Sequence, residues 1–349
     1  MRKYRIGFLL GSLNGAGAEK TIIVIAKQLA VLGHNVYLLL LKNTGDYFPP
    51  ENIKLIEVEG EGRHEKNKSL SVICEKTNFN FFVTSRAEYY DAISAEKIFA
   101  SVHITPTAWI DLPKWRFLKR WMRIKRLKSK FKGKNLIALS YGIKNDLVSN
   151  LGCDESNIVV LNNPFELSVM RSKSIERQHG YDFEYIVYVA SFIERKRHED
   201  LINAFHMLKN DSIKLVLVGK GELESKIKAL VSARGLTDRV VFHGWDANPY
   251  SIIKNARVSV LVSSAEGLPR TLVESLVLGV PMVSTDCPSG PNEVLTGNLA
   301  KFLVPIGDTV ALANAIDSAL IEYPEIKPEV VERFDAKLVA NRYISLFEK

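Results

Sequence analysis

The sequence predicts an α/β protein with two domains, each built on a doubly wound parallel sheet. The chain has 349 residues, more than one typical core needs, and 46% of them are hydrophobic. Apolar runs rich in β-branched residues alternate with helix-like runs through both halves. Several predicted strands end in a glycine-containing turn, which is where open α/β sheets bind their ligands.

The first predicted unit is a strand (residues 6–10), a glycine-rich turn (11–19) and a helix (20–32). Glycines such as Gly15 and Gly17 let backbone amides approach a phosphate or a sugar oxygen closely. A dinucleotide-binding fingerprint and a P-loop each fail at one position of this turn. The turn therefore indicates either a ligand-contacting loop of another kind or a purely structural turn.

A pair of glutamates in the second half follows a compact apolar run. This run, residues 258–264, predicts a buried strand, and Glu266 comes directly past its carboxyl end. Pro269 suits the first turn of a helix that contains Glu274. In that position a carboxylate can bind hydroxyl groups while free amides at the helix start bind phosphate. Taken alone, however, such a spacing is more often that of two solvated surface carboxylates.

Two more glycine turns lie in this half. Gly219 and Gly221 follow the predicted strand 214–218, and Gly244 and Trp245 follow the next predicted strand. Each turn lies at a strand end, so their presence favours the functional interpretation of the two glutamates.

With these turns in place, the C-terminal half resembles glycosyltransferase family 4, the retaining, nucleotide-sugar-dependent group with the GT-B fold. Residues 190–196, Ala-Ser-Phe-Ile-Glu-Arg-Lys, resemble the family's Gly-Arg-Leu…Lys segment, which places Lys196 at the donor-phosphate lysine. Residues 285–293 resemble the form found in bacterial surface-polysaccharide members. The family's usual arginine is Ser191 here, and a nearby arginine such as Arg195 is a candidate to replace it.

The resemblance implies the GT-B architecture, in which two Rossmann-like domains face each other across a cleft. Residues 1–165 would form the acceptor domain and residues 166–329 the nucleotide-sugar donor domain. A C-terminal helix, residues 330–349, would pack back onto the first domain. The glycine-rich turn at the N-terminus is similar to the family's Gly-Gly-Gly-Ala-Glu loop.

The resemblance also implies roles for individual residues. Lys196 would neutralise the leaving nucleotide diphosphate, and Glu266 would hold sugar hydroxyls. His103, at the predicted exit of a strand, would orient the acceptor hydroxyl or share its proton, although a histidine bonded to the loop backbone is the alternative. The implied donor-binding residues are Gly15, Gly17, Arg195, Gly219, Gly221, Gly244, Trp245, Gly267, Leu268, Thr271, Leu272 and, for the ribose, Glu274.

Basic residues are concentrated in one segment of the first half. The formal net charge is +8, yet residues 114–134 hold eleven Lys and Arg and no Asp or Glu, so the rest of the chain carries −3. At helical spacing, Phe117, Leu118, Trp121 and Ile124 lie broadly opposite a basic face. That face comprises Arg116, Lys119, Arg123, Arg126 and Lys130.

This pattern, within a basic segment at 109–134, is typical of a helix on a membrane surface. Basic side chains would meet anionic lipid headgroups, each contributing about 1 kcal/mol, and tryptophans such as Trp115 and Trp121 would seat at the interface. A solvated helix whose aromatic residues pack on the first domain is the alternative. Binding to nucleic acid is not expected, because no recognised nucleic-acid module accompanies the segment.

The sequence indicates no cofactor, metal or membrane span. It has no Asp-x-Asp motif, and a lysine can supply the counter-charge that a metal ion otherwise provides. The three cysteines are far apart, so neither a disulfide framework nor a zinc site is indicated. No signal peptide and no long apolar run is seen, so the expected location is the cytoplasm, peripheral on the inner face of the plasma membrane.

These observations predict a retaining hexosyltransferase. It would move a hexose or N-acetylhexosamine from a nucleotide sugar, UDP-linked by family habit, to a lipid-linked or lipopolysaccharide glycan. The alternatives are a sugar-nucleotide 2-epimerase, which shares the GT-B fold, and a non-catalytic membrane-associated scaffold. The basic segment argues against a soluble epimerase, and the presence of Lys196, Glu266 and Glu274 argues against a scaffold.

Overall fold

The structure, a computed structural model, describes residues 2–13, 17–45, 52–110, 117–176 and 181–348. The helices and strands of the first half are β1 (Arg5–Leu10), α1 (Gly17–Val31), β2 (Asn35–Leu40), β3 (Lys54–Glu57), α2 (Gly62–Thr77), β4 (Phe79–Thr84), β5 (Ala95–Val102), α3 (Phe117–Phe131), β6 (Leu136–Ala138), α4 (Tyr141–Ser149) and β7 (Ile158–Val160). Those that follow are α5 (Leu167–Lys173), β8 (Tyr185–Val189), α6 (His198–His206), β9 (Lys214–Val218), α7 (Glu224–Ala233), β10 (Val240–Gly244), α8 (Tyr250–Lys254), β11 (Val258–Leu261), α9 (Arg270–Val277), β12 (Met282–Thr285), α10 (Pro291–Val294), β13 (Leu303–Val304), α11 (Thr309–Ile321), α12 (Pro328–Glu332) and α13 (Ala336–Glu348).

The chain divides into two compact units. Unit 1 comprises Met1–Glu166 and Arg333–Lys349, and unit 2 comprises Leu167–Glu332. The sequence placed the first junction one residue earlier, after residue 165, and the second three residues earlier, after residue 329.

Unit 1 is built on a seven-stranded sheet of order β3-β2-β1-β4-β5-β6-β7, in which the described pairings are parallel. All six residues of β4 are buried, as expected for a strand covered by helices on both faces. Strand order reverses between β1 and β4, so the crevice beyond the carboxyl ends of these two strands is the topological switch point where such sheets bind ligands.

Helix α13 belongs to the core of unit 1. Val339, Tyr343 and Phe347 are buried there with residues of β1 and α1, and the Phe347 ring stacks on Phe81 at a centroid distance of 4.1 Å. The chain's last described helix therefore completes a core that begins at its first strand.

Unit 2 is built on a six-stranded sheet of order β10-β9-β8-β11-β12-β13, again with parallel described pairings. The predicted two-sheet α/β architecture is thus confirmed. Strand order in this sheet reverses between β8 and β11, so its switch point lies between the loops that follow them. Lys196 lies on the first of these loops and Glu266 on the second.

Three element boundaries differ from the predicted ones. The strand predicted over residues 258–264 ends at Leu261, because the amide of Ser263 donates to the Thr285 hydroxyl (2.9 Å) instead of continuing the ladder. Strand β10 extends through Gly244, which the sequence placed in a turn. The predicted final helix is two helices, because the backbone of Phe165 pairs with residues 334 and 336 and interrupts it.

Candidate functional site

The centre of the site in unit 2 is a buried ion cluster at its switch point. Lys196 Nζ lies 2.5 Å from Glu266 Oε1, and Arg195 Nη1 lies 3.5 Å from the same oxygen. Glu266 is only 8% exposed. Burial raises the pKa of the Glu266 carboxyl, but the neighbouring Lys196 and Arg195 lower it more, so the net shift is downward. The cluster therefore holds an ionised carboxylate against two cations in a site largely shielded from water.

The two loops that carry this cluster are fastened to each other through Tyr188 of β8. Its hydroxyl oxygen lies 2.7 Å from the carbonyl oxygen of Lys196 and 2.9 Å from that of Val262, so its single proton is shared between the two carbonyls. Burial raises the pKa of Tyr188 well above its usual value, so the hydroxyl keeps its proton. The amide of Ser264 adds a bond of 3.0 Å to the carbonyl of Arg195. The position of Lys196 relative to Glu266 is thus set by backbone contacts as well as by charge.

Gly219 and Gly221 have a packing reason to be glycines. A Cβ at Gly219 would collide with the carbonyl of Ala190, and one at Gly221 would lie 2.5 Å from the carbonyl of Phe192. The turn after β9 thereby packs backbone against backbone on the loop that leads to Lys196. This contact accounts for both residues whether or not they also touch a donor.

Gly290 has the same relation to the Glu266 loop. Its φ is +94°, and a Cβ there would collide with the carbonyl of Gly267 and lie 2.7 Å from Pro269 Cδ. The Ser289 hydroxyl donates to the same Gly267 carbonyl at 2.9 Å. The loop after β12 therefore supports the turn that presents Glu266.

Helix α9 places Glu274 in the interior of unit 2. Glu274 is 8% exposed, and Arg270 Nε lies 3.4 Å from its Oε1. The Thr271 hydroxyl donates to the carbonyl of Val189 at 3.2 Å, which joins α9 to the end of β8. Leu268 and Leu272 were predicted to bind the donor, but they are 4% and 0% exposed, so neither offers a ligand an accessible surface in this structure. Sequence reasoning overlooked Arg270, although its spacing four residues before an acidic residue in a helix is a recognisable signal.

The end of β10 carries an exposed aromatic surface. Gly244 has a φ of +84°, a value that favours glycine, and Trp245 is 60% exposed. Lys220 Nζ lies 5.1 Å from the centre of the Trp245 ring, and the Tyr181 hydroxyl lies 2.7 Å from His243 Nδ1. An exposed ring beside a cation suits stacking of a planar ligand.

Unit 1 contains a pocket of about 1060 Å³ that includes His103 at the exit of β5. Both ring nitrogens of His103 are buried and lack a hydrogen-bond partner among the described residues. Burial lowers the pKa of His103 to about 4, so the imidazole is neutral near pH 7. A neutral ring can accept a hydrogen bond at one nitrogen and donate one at the other.

Helix α3 divides its two faces only in part as the sequence predicts, because Lys119, expected on the basic face, does not line the pocket, and Ile124, expected on the opposite face, is partly buried. Arg123, Arg126 and Lys130 line the pocket of unit 1, and Lys130 Nζ lies 3.1 Å from Glu88 Oε2. The opposite face leaves Phe117, Leu118, Trp121 and Met122 more than half exposed. Phe117 and Trp121 therefore do not pack closely on unit 1, whereas Trp115 lies outside the described residues and Phe131 at the end of the helix is buried.

Some predicted residues fall where the structure makes no statement. Gly15, Trp115 and Arg116 lie outside the described residues, whereas Gly17 begins α1 and Lys119 is exposed on α3. In the described part of the chain, none of the helices has the length and apolarity that crossing a bilayer requires.

Residues 171–334 match the model of a family described as glycosyl transferases group 1. This segment, just under half of the chain, is similar to the glycosyl transferases of group 1. It holds β8 to β13 and thus the whole Lys196–Glu266 cluster, Glu274 and Trp245. The predicted family resemblance is confirmed at this level.

Relatives of the chain and solved structures extend the likeness. The lipopolysaccharide 1,6-galactosyltransferase of Salmonella typhimurium is 30% identical over 61% of each chain, so the matched part spans about three fifths of that relative's length. The N-acetylgalactosamine-N,N'-diacetylbacillosaminyl-diphospho-undecaprenol 4-alpha-N-acetylgalactosaminyltransferase of Campylobacter jejuni is 25% identical over 90% of each chain. The crystal structure of Anabaena HepE in complex with UDP-glucose superposes with a TM-score of 0.78 at 17% identity, covering 99% of each chain. The structural likeness confirms the GT-B fold.

Proposed function

We propose that the chain is a retaining glycosyltransferase. It moves a hexose or N-acetylhexosamine from a UDP-sugar to a lipid-linked or lipopolysaccharide glycan. The observation that carries the proposal is the buried Lys196–Glu266–Arg195 cluster at the switch point of a segment similar to the glycosyl transferases of group 1. The lipopolysaccharide and diphospho-undecaprenol acceptors of the Salmonella and Campylobacter relatives support the acceptor class, and the UDP-glucose in the HepE complex supports the donor.

The proposed chemistry follows from where charge develops. Breaking the anomeric C–O bond leaves negative charge on the nucleotide diphosphate and positive character on the sugar. Lys196 neutralises the diphosphate, and preorganised charge of this kind is usually the largest contribution to catalysis. Glu266 holds sugar hydroxyls, and Glu274 holds the ribose. The acceptor attacks on the face that the diphosphate leaves, which retains the anomeric configuration, and no step needs a bound cation.

His103 serves the acceptor in this proposal. Because its pKa is about 4, the ring is neutral at the pH of the reaction and accepts a hydrogen bond from the attacking hydroxyl. The unpartnered ring nitrogens in the pocket of unit 1 are what such a contact requires. In this role His103 orients the hydroxyl without carrying a positive charge.

The proposal is tested by measuring nucleotide diphosphate release from a panel of UDP- and GDP-sugars, each with and without lipid-linked acceptors. We expect acceptor-dependent release from a UDP-sugar, and NMR of the product should show the anomeric configuration of the donor. Replacement of His103 by alanine should lower the acceptor-dependent rate by about 10²-fold while leaving donor binding intact, because the attacking hydroxyl loses the group that orients it.

Two outcomes of this panel would contradict the proposal. Conversion of a UDP-sugar into its 2-epimer without any acceptor would identify an epimerase. Donor binding with no turnover under any acceptor would identify a scaffold. An inverted product anomer would contradict the retaining mechanism alone.

We further propose that the outer face of α3 rests on the inner leaflet of the membrane. Its exposed apolar residues, with Trp121 among them, are those that seat at a lipid interface. The basic residues of the helix add attraction to anionic headgroups. Only part of this charge lies on the outer face, because Arg123, Arg126 and Lys130 line the pocket.

Liposome co-sedimentation tests this contact. Replacing both Phe117 and Trp121 by alanine should shift most of the bound protein into the supernatant, because two large apolar side chains no longer enter the bilayer. Ile321, which is 88% exposed on α11, is the matched control, and Ile321→Ala should bind like the parent chain. Equal binding of the Phe117/Trp121 variant would exclude this face, and equal partitioning onto neutral and anionic vesicles would exclude the electrostatic part.

A further inference from the structure

The pocket of unit 1 has an excess of positive charge. Its lining contains three acidic residues, Glu19, Glu88 and Asp91. The lining also contains six basic residues, twice the number of acidic ones. These basic residues come from α2, from the loop after β4, and from α3 and the turn that follows it. They are Arg63, Arg86, Arg123, Arg126, Lys130 and Lys134.

The acidic residues already have partners in the pocket wall. Glu88 Oε2 lies 3.1 Å from Lys130 Nζ, and Asp91 Oδ2 lies 3.5 Å from Lys134 Nζ. Glu19 accepts a hydrogen bond from the Ser12 hydroxyl at 3.0 Å. Glu88 also faces Arg86, whose Nη1 lies 3.9 Å from Glu88 Oε1. These contacts account for the two lysines and partly for Arg86, and they leave Arg123 and Arg126 without a carboxylate partner among the described residues.

Arg123 and Arg126 are the least compensated of these residues. Within the ranges that the structure describes, neither guanidinium has an ion pair with an acidic side chain. Both line the pocket from one face of α3, three residues apart and therefore adjacent on the helix surface. Two neighbouring guanidinium groups of this kind present forked donors that match the oxygens of a phosphate.

Arg86 brings a third guanidinium to the switch point of unit 1. A Cβ at Gly11, directly after β1, would collide with its guanidinium, and the Arg86 Cζ would lie 3.1 Å from that Cβ. The absence of a side chain at residue 11 thus lets Arg86 lie over the end of β1, in the crevice where doubly wound sheets bind ligands. Sequence reasoning assigned no role to either residue.

We infer that this pocket binds a phosphate or diphosphate group of the acceptor, with Arg86, Arg123 and Arg126 as its ligands. The inference rests on the proposed transferase function and narrows its acceptor to a phosphorylated one. His103 lies in the same pocket, so the anion and the reacting hydroxyl belong to one molecule bound in unit 1. The donor diphosphate has its own cations, Lys196 and Arg195, in unit 2.

The first arm of the test measures binding of inorganic pyrophosphate by calorimetry and needs no turnover. It uses the full chain with Arg195→Gln and Lys196→Ala, so that the cations of the donor cluster do not contribute to the signal. Replacing Arg123 and Arg126 by glutamine should weaken binding at least tenfold. Lys125 and Lys128 are the matched control, because they lie on the same helix, three residues apart and exposed, but do not line the pocket. Their replacement by glutamine should leave the affinity unchanged.

The second arm compares two soluble acceptors that carry the same glycan, one as a diphosphate ester and one as a neutral alkyl glycoside. With otherwise unmodified protein, Arg123→Gln/Arg126→Gln should raise the KM for the diphosphate acceptor at least tenfold and leave that for the neutral acceptor unchanged. Arg86→Gln should act in the same direction. Anionic vesicles are then added to test whether the arginines bind lipid headgroups instead of the acceptor diphosphate. If they bind the acceptor diphosphate, the vesicles should not compete with the soluble diphosphate acceptor.

Each result supports or overturns the inference. Equal loss of pyrophosphate binding in the Lys125/Lys128 control would show that binding depends only on the overall surface charge of α3. Competition by anionic vesicles would show that the arginines bind lipid headgroups. Equal KM values for the two acceptors in all variants would show that the pocket recognises only the glycan. Pyrophosphate binding that depends on Arg123 and Arg126, in a chain without transferase activity, would contradict the proposed function but keep the anion site.

Discussion

Replacing Lys196 by alanine is expected to lower the rate of sugar transfer by about 10²- to 10³-fold, the usual effect of removing one preorganised group that stabilises developing charge. The residue lies 2.5 Å from Glu266 in a buried cluster, where a charge is screened far less than at the surface. Most of the effect should appear in kcat, because the charge on the leaving diphosphate grows in the transition state. Steady-state kinetics with the donor found in the panel measures it.

The control for this prediction separates charge loss from misfolding. Lys196→Ala leaves Glu266 buried with Arg195 alone, which destabilises the fold by leaving a charge less compensated. Lys196→Met removes the charge but keeps most of the side-chain volume and the Arg195–Glu266 pair, so its melting temperature should lie closer to that of the parent while transfer stays as low as in Lys196→Ala. Lys226, an exposed residue of α7, controls for loss of a surface lysine. Transfer that survives Lys196→Ala unchanged, in a folded protein, would refute the assignment.

Replacing Gly290 by alanine should cost about 2–5 kcal/mol of unfolding free energy. Part of this cost comes from placing an alanine at a φ of +94°, and part from the collision of its Cβ with the Gly267 carbonyl. The collision displaces the turn that holds Glu266, so donor affinity should fall as well. Chemical denaturation of unit 2 and donor titration measure the two effects.

Gly279 is the matched control for this substitution. Its φ of +76° is also in the left-handed region, but nothing lies within 4 Å of a Cβ built there. Gly279→Ala should therefore cost only the backbone strain, about 1–2 kcal/mol, and leave donor affinity unchanged. Equal losses in the two variants would mean that the contact with Gly267 contributes nothing.

Local sequence was sufficient to predict the sheets, whereas Lys196 was singled out through the family resemblance. Buried parallel strands are continuous apolar runs, and Lys196 and Glu266 each directly follow one, so their meeting at a strand edge is a consequence of topology. The boundaries were less predictable. The break before α13 depends on backbone pairing with Phe165, about 170 residues away in the chain, and no local pattern carries that information.

The pocket of unit 1 was predicted only in fragments. His103 and the basic face of α3 were singled out separately, but Arg63, Arg86 and Gly11 were not. The lining comes from distant segments, and only tertiary packing brings them together. Gly219 and Gly221, after β9, were predicted as donor-binding residues, but backbone packing alone explains why they are glycines. A glycine required by packing and one required by a ligand look identical in a sequence.

The position of α13 in unit 1 has a consequence for biosynthesis. Unit 2 is a continuous stretch of chain. The core of unit 1, by contrast, is completed only by α13, which follows all of unit 2 in the sequence. During translation, the ribosome must therefore extrude all of unit 2 before Val339, Tyr343 and Phe347 can cover the face of the sheet that contains β1. Until then the nascent first unit exposes apolar surface, and its protection by chaperones or by rapid elongation becomes part of how this protein reaches its native state.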